Sequence, residues 1–344
     1  MTRQPWLGAP ALSYPDRVPT ILDALDRAVA RWGDREAVVD LATADAGRGA
    51  ARGATTHGDG ATDGDAAIAG GPRRVTYAEL ADLAEGAAAR LVDAGAQPGA
   101  RVAVAAPNGL ALAVAVFACA RAGLILAGLN PRMGVGQWAR QLAAVRPDVV
   151  AATAACRPQL EQALAQAGLA PPRVGDAEAV FGATPAPWSF TAKDRPDEAA
   201  CFQAVFSSGT TGASKAVEVV HRAAMHSAHS YQTLLGLGPH DRTAVVFPLS
   251  YISGLCAHLL PMTLAGATSV LLATPDPAAY LATLGREAIT WAYAAPAFWQ
   301  LLLRRSGFDA QATAVFAAVG ASATFAVSAG LCLLVLLPLV ALGG

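Results

Sequence analysis

The chain has 344 residues, 54% of them hydrophobic and 15% charged, with a formal net charge of −1 at pH 7. That is apolar material for one large or two ordinary domains. No run of Lys or Arg exceeds a pair such as Arg73-Arg74 or Arg304-Arg305, which argues against nucleic acid as a partner. The five cysteines are odd in number and never spaced as Cys-x-x-Cys, and no secretory signal opens the chain, so the expectation is a reduced, cytoplasmic protein.

In chain order, Ile21, Leu22, Leu25 and Val29 recur at helical spacing and predict a helix over residues 19–30, followed by a short strand over 35–41. Residues 42–73 abandon hydrophobic pattern for Gly, Ala, Thr and Asp, and read as a disordered insertion. Asp59, Asp63 and Asp65 inside it lack the ligand series of a calcium loop, so no metal site is assigned. The capping box Thr76-Tyr77-Ala78-Glu79 opens a helix whose Leu80, Leu83, Ala87 and Leu91 share a face. Strands are then expected over 101–106, 124–129 and 148–152, separated by helices over 109–122 and 136–145. That alternation predicts an α/β fold with largely parallel sheet covered by helices. The helix over 109–122 is apolar all round and too short to span a bilayer, which reads as burial. Residues 159–167 predict a surface helix, and 171–196 a proline-rich connection.

Residues 201–206 and 216–220 read as strands joined by Ser207-Ser208-Gly209-Thr210-Thr211-Gly212-Ala213-Ser214-Lys215. Glycines let backbone N–H groups approach anionic oxygens, the hydroxyls of Ser207, Ser208, Thr210 and Thr211 add donors, and Lys215 adds a positive charge. Lys193 and Lys215 are the chain's two lysines; all other basic side chains but histidine are arginine. A Walker loop is excluded, because that motif runs directly into a helix and has different glycine spacing. His221, His226 and His229 follow at a helix start with no carboxylate or cysteine partner near in sequence, and read as capping and surface residues, not metal ligands.

Ser208-Gly209-Thr210-Thr211-Gly212 with Lys215 resembles the phosphate loop of the adenylate-forming (AMP-binding) superfamily, of the acyl-CoA synthetase type. It departs from the usual pattern at Ser214, where the family has proline, and at Ala216, where it has glycine. Other segments match in order: RVAVAAPN and RAGLILAGLNPR within 76–148, VFPLSYISGL at 246–255, WAYAAPAFWQLL at 291–302, and Val319-Gly320-Ala321. The resemblance implies the N-terminal large domain of such an enzyme, two helix-flanked and largely parallel sheets, incomplete and without the small C-terminal domain. On that reading residues 1–41 begin the domain, 42–73 are the insertion, 74–325 continue it, and 326–344 form a hydrophobic tail.

What the resemblance implies for chemistry is ATP-dependent activation of a small carboxylic acid through an acyl adenylate, with Mg²⁺ and CoA as further cofactors. Lys215, Thr210 and Thr211 would act on the phosphates, Ser207, Ser208, Gly209 and Gly212 would complete the nucleotide cradle, and Tyr251, Gly254, Gly320 and Ala321 would line the substrate pocket. Tyr251 stands where many members carry histidine. The family's later Tyr-Gly-x-Thr-Glu and Thr-Gly-Asp segments, hinge and C-terminal lysine have no counterpart, so a truncated, inactive chain is the accompanying expectation. The alternative is a non-catalytic nucleotide-binding remnant or a membrane-anchored module. The run at 325–342, preceded by Arg304 and Arg305, has the length of a membrane span with the bulk of the chain on the cytoplasmic side. It equally fits a frame-shifted end, with a buried helix of an incomplete core ranked third, below both.

Overall fold

The computed structural model describes residues 2–6, 9–41, 71–170, 173–207, 215–274, 276–304, 324–329 and 332–336. Residues 42–70, most of the expected insertion, lie outside them; Arg73, at its expected end, already opens a strand. In chain order the strands are β1 (Thr2–Trp6), β2 (Ala9–Ser13), β3 (Glu36–Asp40), β4 (Arg73–Thr76), β5 (Arg101–Ala105), β6 (Ile125–Leu129), β7 (Val149–Ala152) and β8 (Arg173–Asp176). They continue as β9 (Cys201–Ser207), β10 (Lys215–Val220), β11 (Arg242–Val245), β12 (Thr268–Leu271), β13 (Trp291–Ala292), β14 (Thr324–Ala329) and β15 (Cys332–Leu336).

Two large sheets result. One has the order β10-β9-β6-β5-β7-β8 and is parallel except where β10 runs against β9. The other has the order β15-β14-β13-β11-β12-β3-β4, parallel except at its two ends. Helices bury the central strands on both faces, so β5 to β7 are mostly Val, Ala and Leu and do not alternate with polar residues.

The helix Ile21–Trp32 begins at Thr20, whose hydroxyl accepts from the Asp23 N–H at 3.2 Å while the Asp23 carboxylate accepts from the Thr20 N–H at 3.2 Å. The same reciprocal box at Thr76 and Glu79 opens the helix Tyr77–Asp93. Between the sheets the helix Leu110–Arg121 buries every residue from Leu112 to Ala120, as its apolar circumference predicts. Each Leu, Val or Phe there contributes about 1.5–3 kcal/mol of burial. Its first N–H, on Leu110, donates to the Asp40 carboxylate at 2.8 Å, so β3 caps a helix seventy residues away.

Three expectations are corrected. The proline-rich connection contains β8, added to the edge of the first sheet beside β7, and a helical turn at Ala177–Phe181. Four residues of strand in a proline-rich setting carry too little periodicity to show in sequence. His221 and His229 are buried, not surface residues. The apolar run near the end is not a membrane helix in its described part: Thr324–Ala329 pairs in parallel with β13 and antiparallel with Cys332–Leu336. Among the described residues no helix is long and apolar enough to cross a membrane. An open sheet edge at β13 offers backbone partners to any apolar segment of strand length, which hydropathy alone does not register.

Candidate active site

Strands β9 and β10 form an antiparallel hairpin in which Lys215 faces Ser207, Val217 faces Val205 and Val219 faces Gln203. The two expected strands are therefore present and paired, and Lys215 stands exposed at the first position of β10. Ser208, Gly209, Thr210, Thr211 and Gly212 lie outside the described residues, as do Gly320 and Ala321. Of the expected site residues, the structure brings the hairpin carrying Lys215 and the segment carrying Tyr251 and Gly254 to one cleft.

That cleft has a volume of about 600 Å³. One wall is Val205, Phe206, Val217, Glu218 and Val219 of the hairpin; the other is Phe247, Tyr251, Ile252 and Ser253, with Ala223 between them. Tyr251 is half-buried and lines it. Gly254 is buried behind the wall, and its role is a close approach: a Cβ there would stand 2.6 Å from the Pro248 carbonyl carbon and 2.8 Å from the Leu249 nitrogen.

The second wall is held from below by side chains that sequence reasoning did not single out. Asn108, buried at the end of the β5 segment, donates from Nδ2 to the Phe247 carbonyl at 2.9 Å and accepts at Oδ1 from the Leu249 N–H at 2.9 Å. Gln203 Nε2 donates to the Leu249 carbonyl at 3.4 Å. Gly128 of β6 supplies a third constraint, since a Cβ there would stand 2.5 Å from the Ser250 Cβ. Asn108 follows Pro107, a local turn signal; nothing local announces a partner 139 residues on.

Behind Phe247 lies an aromatic cluster. Its ring centroid is 5.1 Å from Tyr293 and 5.9 Å from His258, and Trp291 stacks on Tyr293 at 6.2 Å with an interplanar angle of 10°. His258 is fully buried and its Nδ1 lies 3.2 Å from the Thr243 hydroxyl. Burial pushes its pKa down to about 3, so the imidazole is neutral at physiological pH and serves as packing and a hydrogen-bond partner rather than as a charge. Among the described residues no three His, Cys, Asp or Glu side chains gather into a cation site.

Two helix-flanked, largely parallel sheets, with the β9–β10 hairpin forming one wall of a cleft, define the class of α/β domain to which this fold belongs. The AMP-binding enzyme family model matches residues 25–331, and the chain belongs to that adenylate-forming family, of the acyl-CoA synthetase type. It is 29% identical over 251 residues to a feruloyl-CoA synthase from Amycolatopsis sp, covering 69% of this chain and 46% of that protein. It is 30% identical over 276 residues to a salicylyl-CoA synthase / salicylate adenylyltransferase from Streptomyces sp, covering 74% and 49%. The inhibitor-bound N-terminal domain of FACL13 from Mycobacterium tuberculosis shares the fold with a TM-score of 0.69 at 19% identity, over 84% of this chain and 66% of that one. The chain thus spans about half the length of the curated relatives it matches.

Proposed function

We propose that the chain serves ATP-dependent activation of a carboxylic acid as an acyl adenylate, with transfer to the thiol of CoA as the following step. The observation that carries this reading is the shared cleft: the hairpin that ends in Lys215 and the Phe247–Ser253 wall face the same space. A carboxylate is a poor electrophile until one of its oxygens is attached to a good leaving group. In the first step that oxygen attacks the α-phosphorus of ATP, the bond to the bridging pyrophosphate oxygen breaks, and the electron pair leaves with pyrophosphate. In the second, a thiolate displaces AMP.

This chain's own contribution to the first step is electrostatic. Carboxylate and triphosphate repel by about 1 kcal/mol per pair of unit charges at 4 Å in water and by about 4 kcal/mol at intermediate dielectric. The Lys215 ammonium and the N–H and hydroxyl donors of residues 207–212 would offset that repulsion and hold charge on the departing pyrophosphate. The resemblance implies Mg²⁺ for the same task, but the described residues supply no ligand cluster for it. The mostly apolar lining of the cleft, on the same hairpin whose β10 starts at Lys215, supports binding of an acid by its body.

Acid-dependent exchange of labelled pyrophosphate into ATP tests the reading. Exchange with the wild-type chain and a loss of at least 100-fold in Lys215→Ala is the expected pair of results. No exchange with any acid, from a chain that binds ATP, overturns it.

A further inference from the structure

The cleft walls carry an inference about which acid this chain takes, one that rests on the carboxylate-activating reading. Strand alternation puts Lys215, Val217 and Val219 on one face of β10, with Lys215 about 7 Å along the backbone from the first of two apolar residues. Val217, 47% exposed, and Ile252, 45% exposed, are large apolar side chains in the lining, one from the hairpin and one from the Phe247–Ser253 segment. Between them stand Phe206, Phe247 and Tyr251.

Behind Phe247 the described residues pack tightly. Phe247 packs on Tyr293 and His258, and the backbone that carries it is held by Asn108 and by the glycine contacts at Gly128 and Gly254. Among the described residues the space behind Phe247 is taken by aromatic side chains, which favours a compact ligand body over a long alkyl chain. The charges select as well. Glu218 is the one charged residue among the described lining, so that lining offers no cation to a second carboxylate on the ligand. An α-ammonium beside the reacting carboxylate would meet Lys215.

We infer that the cleft is the body site for a compact aromatic monocarboxylic acid, its carboxylate toward Lys215 and its ring between the hairpin face and the Phe247–Ile252 wall. The three aromatic side chains offer a flat ring edge-to-face and offset contacts that an alkyl body of the same area does not make, and a rigid ring loses little rotamer freedom on entering.

Titration calorimetry of the full chain with cinnamate, decanoate, succinate and phenylalanine, alongside pyrophosphate exchange with each, tests this. Cinnamate is expected to bind at least tenfold more tightly than the other three and to support the fastest exchange. Val217→Asp and Ile252→Asp sit at exposed positions and are expected to weaken cinnamate binding at least tenfold with the thermal midpoint unchanged. Decanoate, succinate or phenylalanine matching cinnamate, or cinnamate binding indifferent to both substitutions, overturns the assignment while leaving carboxylate activation standing. Tight cinnamate binding that both substitutions weaken, with no exchange from any acid, supports the body site and overturns the activating function.

Discussion

The backbone N–H of Val18 donates to Nε2 of His229 at 3.0 Å, and three residues on the N–H of Ile21 donates to Nδ1 of His221 at 3.4 Å. Two imidazoles of one helix, His221–Leu235, thus accept from the segment that leads into the helix Ile21–Trp32. Tyr14 closes the clasp, its ring 5.8 Å from His229 and 5.3 Å from His226, and its hydroxyl donates to the Ser230 Oγ at 3.1 Å. An imidazole nitrogen that accepts a hydrogen bond is unprotonated, so the clasp requires both rings to be neutral.

Stability should accordingly fall in mild acid. Burial lowers the pKa of His221 to about 4, opposed by Asp23, and burial also lowers that of His229, with Asp16 opposing and Arg17, Arg27 and His226 adding to the shift. With folded values below the unfolded value of about 6.5, the unfolded chain binds more protons, and stability rises with pH across the interval between them. The contribution is complete above pH 6.5 and is lost as pH falls toward 4. For His221 alone the loss between pH 7 and pH 5 is about 2 kcal/mol. Urea unfolding at the two pH values measures it, and His221→Gln should flatten the dependence; an unchanged slope would contradict the clasp.

Asn108→Ala should cost about 2–4 kcal/mol, because it strands the buried Leu249 N–H and Phe247 carbonyl at once. Asn108→Asp keeps the acceptor for Leu249 but turns a carboxylate toward the Phe247 carbonyl, and should be no better tolerated. Unfolding in denaturant gives the stability, and calorimetry with cinnamate gives the second expected effect, weaker binding as the cleft wall loses its support.

Gly128→Ala should destabilise by about 1–3 kcal/mol through the Ser250 contact. Ser250→Gly removes the nearest atom and should recover part of that loss in the double variant. Recovery is partial because the Ser250 Cα would still stand 2.8 Å from the new methyl group. A double-mutant cycle by thermal unfolding reads the coupling, and additive effects would show that strand and turn do not meet as described.

Glu287 is a fourth test. Its side chain is 2% exposed and accepts from Arg74 at 2.9 Å and from Arg242 at 3.0 Å, while Glu36 accepts from the same two arginines. Glu287→Ala should cost about 3–5 kcal/mol, since it leaves two guanidinium groups sharing one half-exposed carboxylate. Removing the exposed ion pair Arg195–Asp23 by Arg195→Ala should cost under about 1 kcal/mol. Equal losses in the two variants would argue against burial as the source of the difference.

What the sequence determined by itself were features whose causes lie within a few residues of one another. The capping box at Thr76 and Glu79, the alternation of strands and helices from 101 to 152, the all-apolar helix at Leu110–Arg121 and the hairpin around Ser207 to Lys215 were all legible, because each depends on local hydrogen bonds or on the period of apolar side chains. The motif order identified the family for the same reason. Tertiary structure alone decided that His221 and His229 are buried acceptors, that Asn108 supports a wall far along the chain, and that Thr324–Ala329 pairs as a strand on β13. Those outcomes depend on which distant backbone group lacks a partner once the sheets have formed, and neither hydropathy nor spacing encodes it.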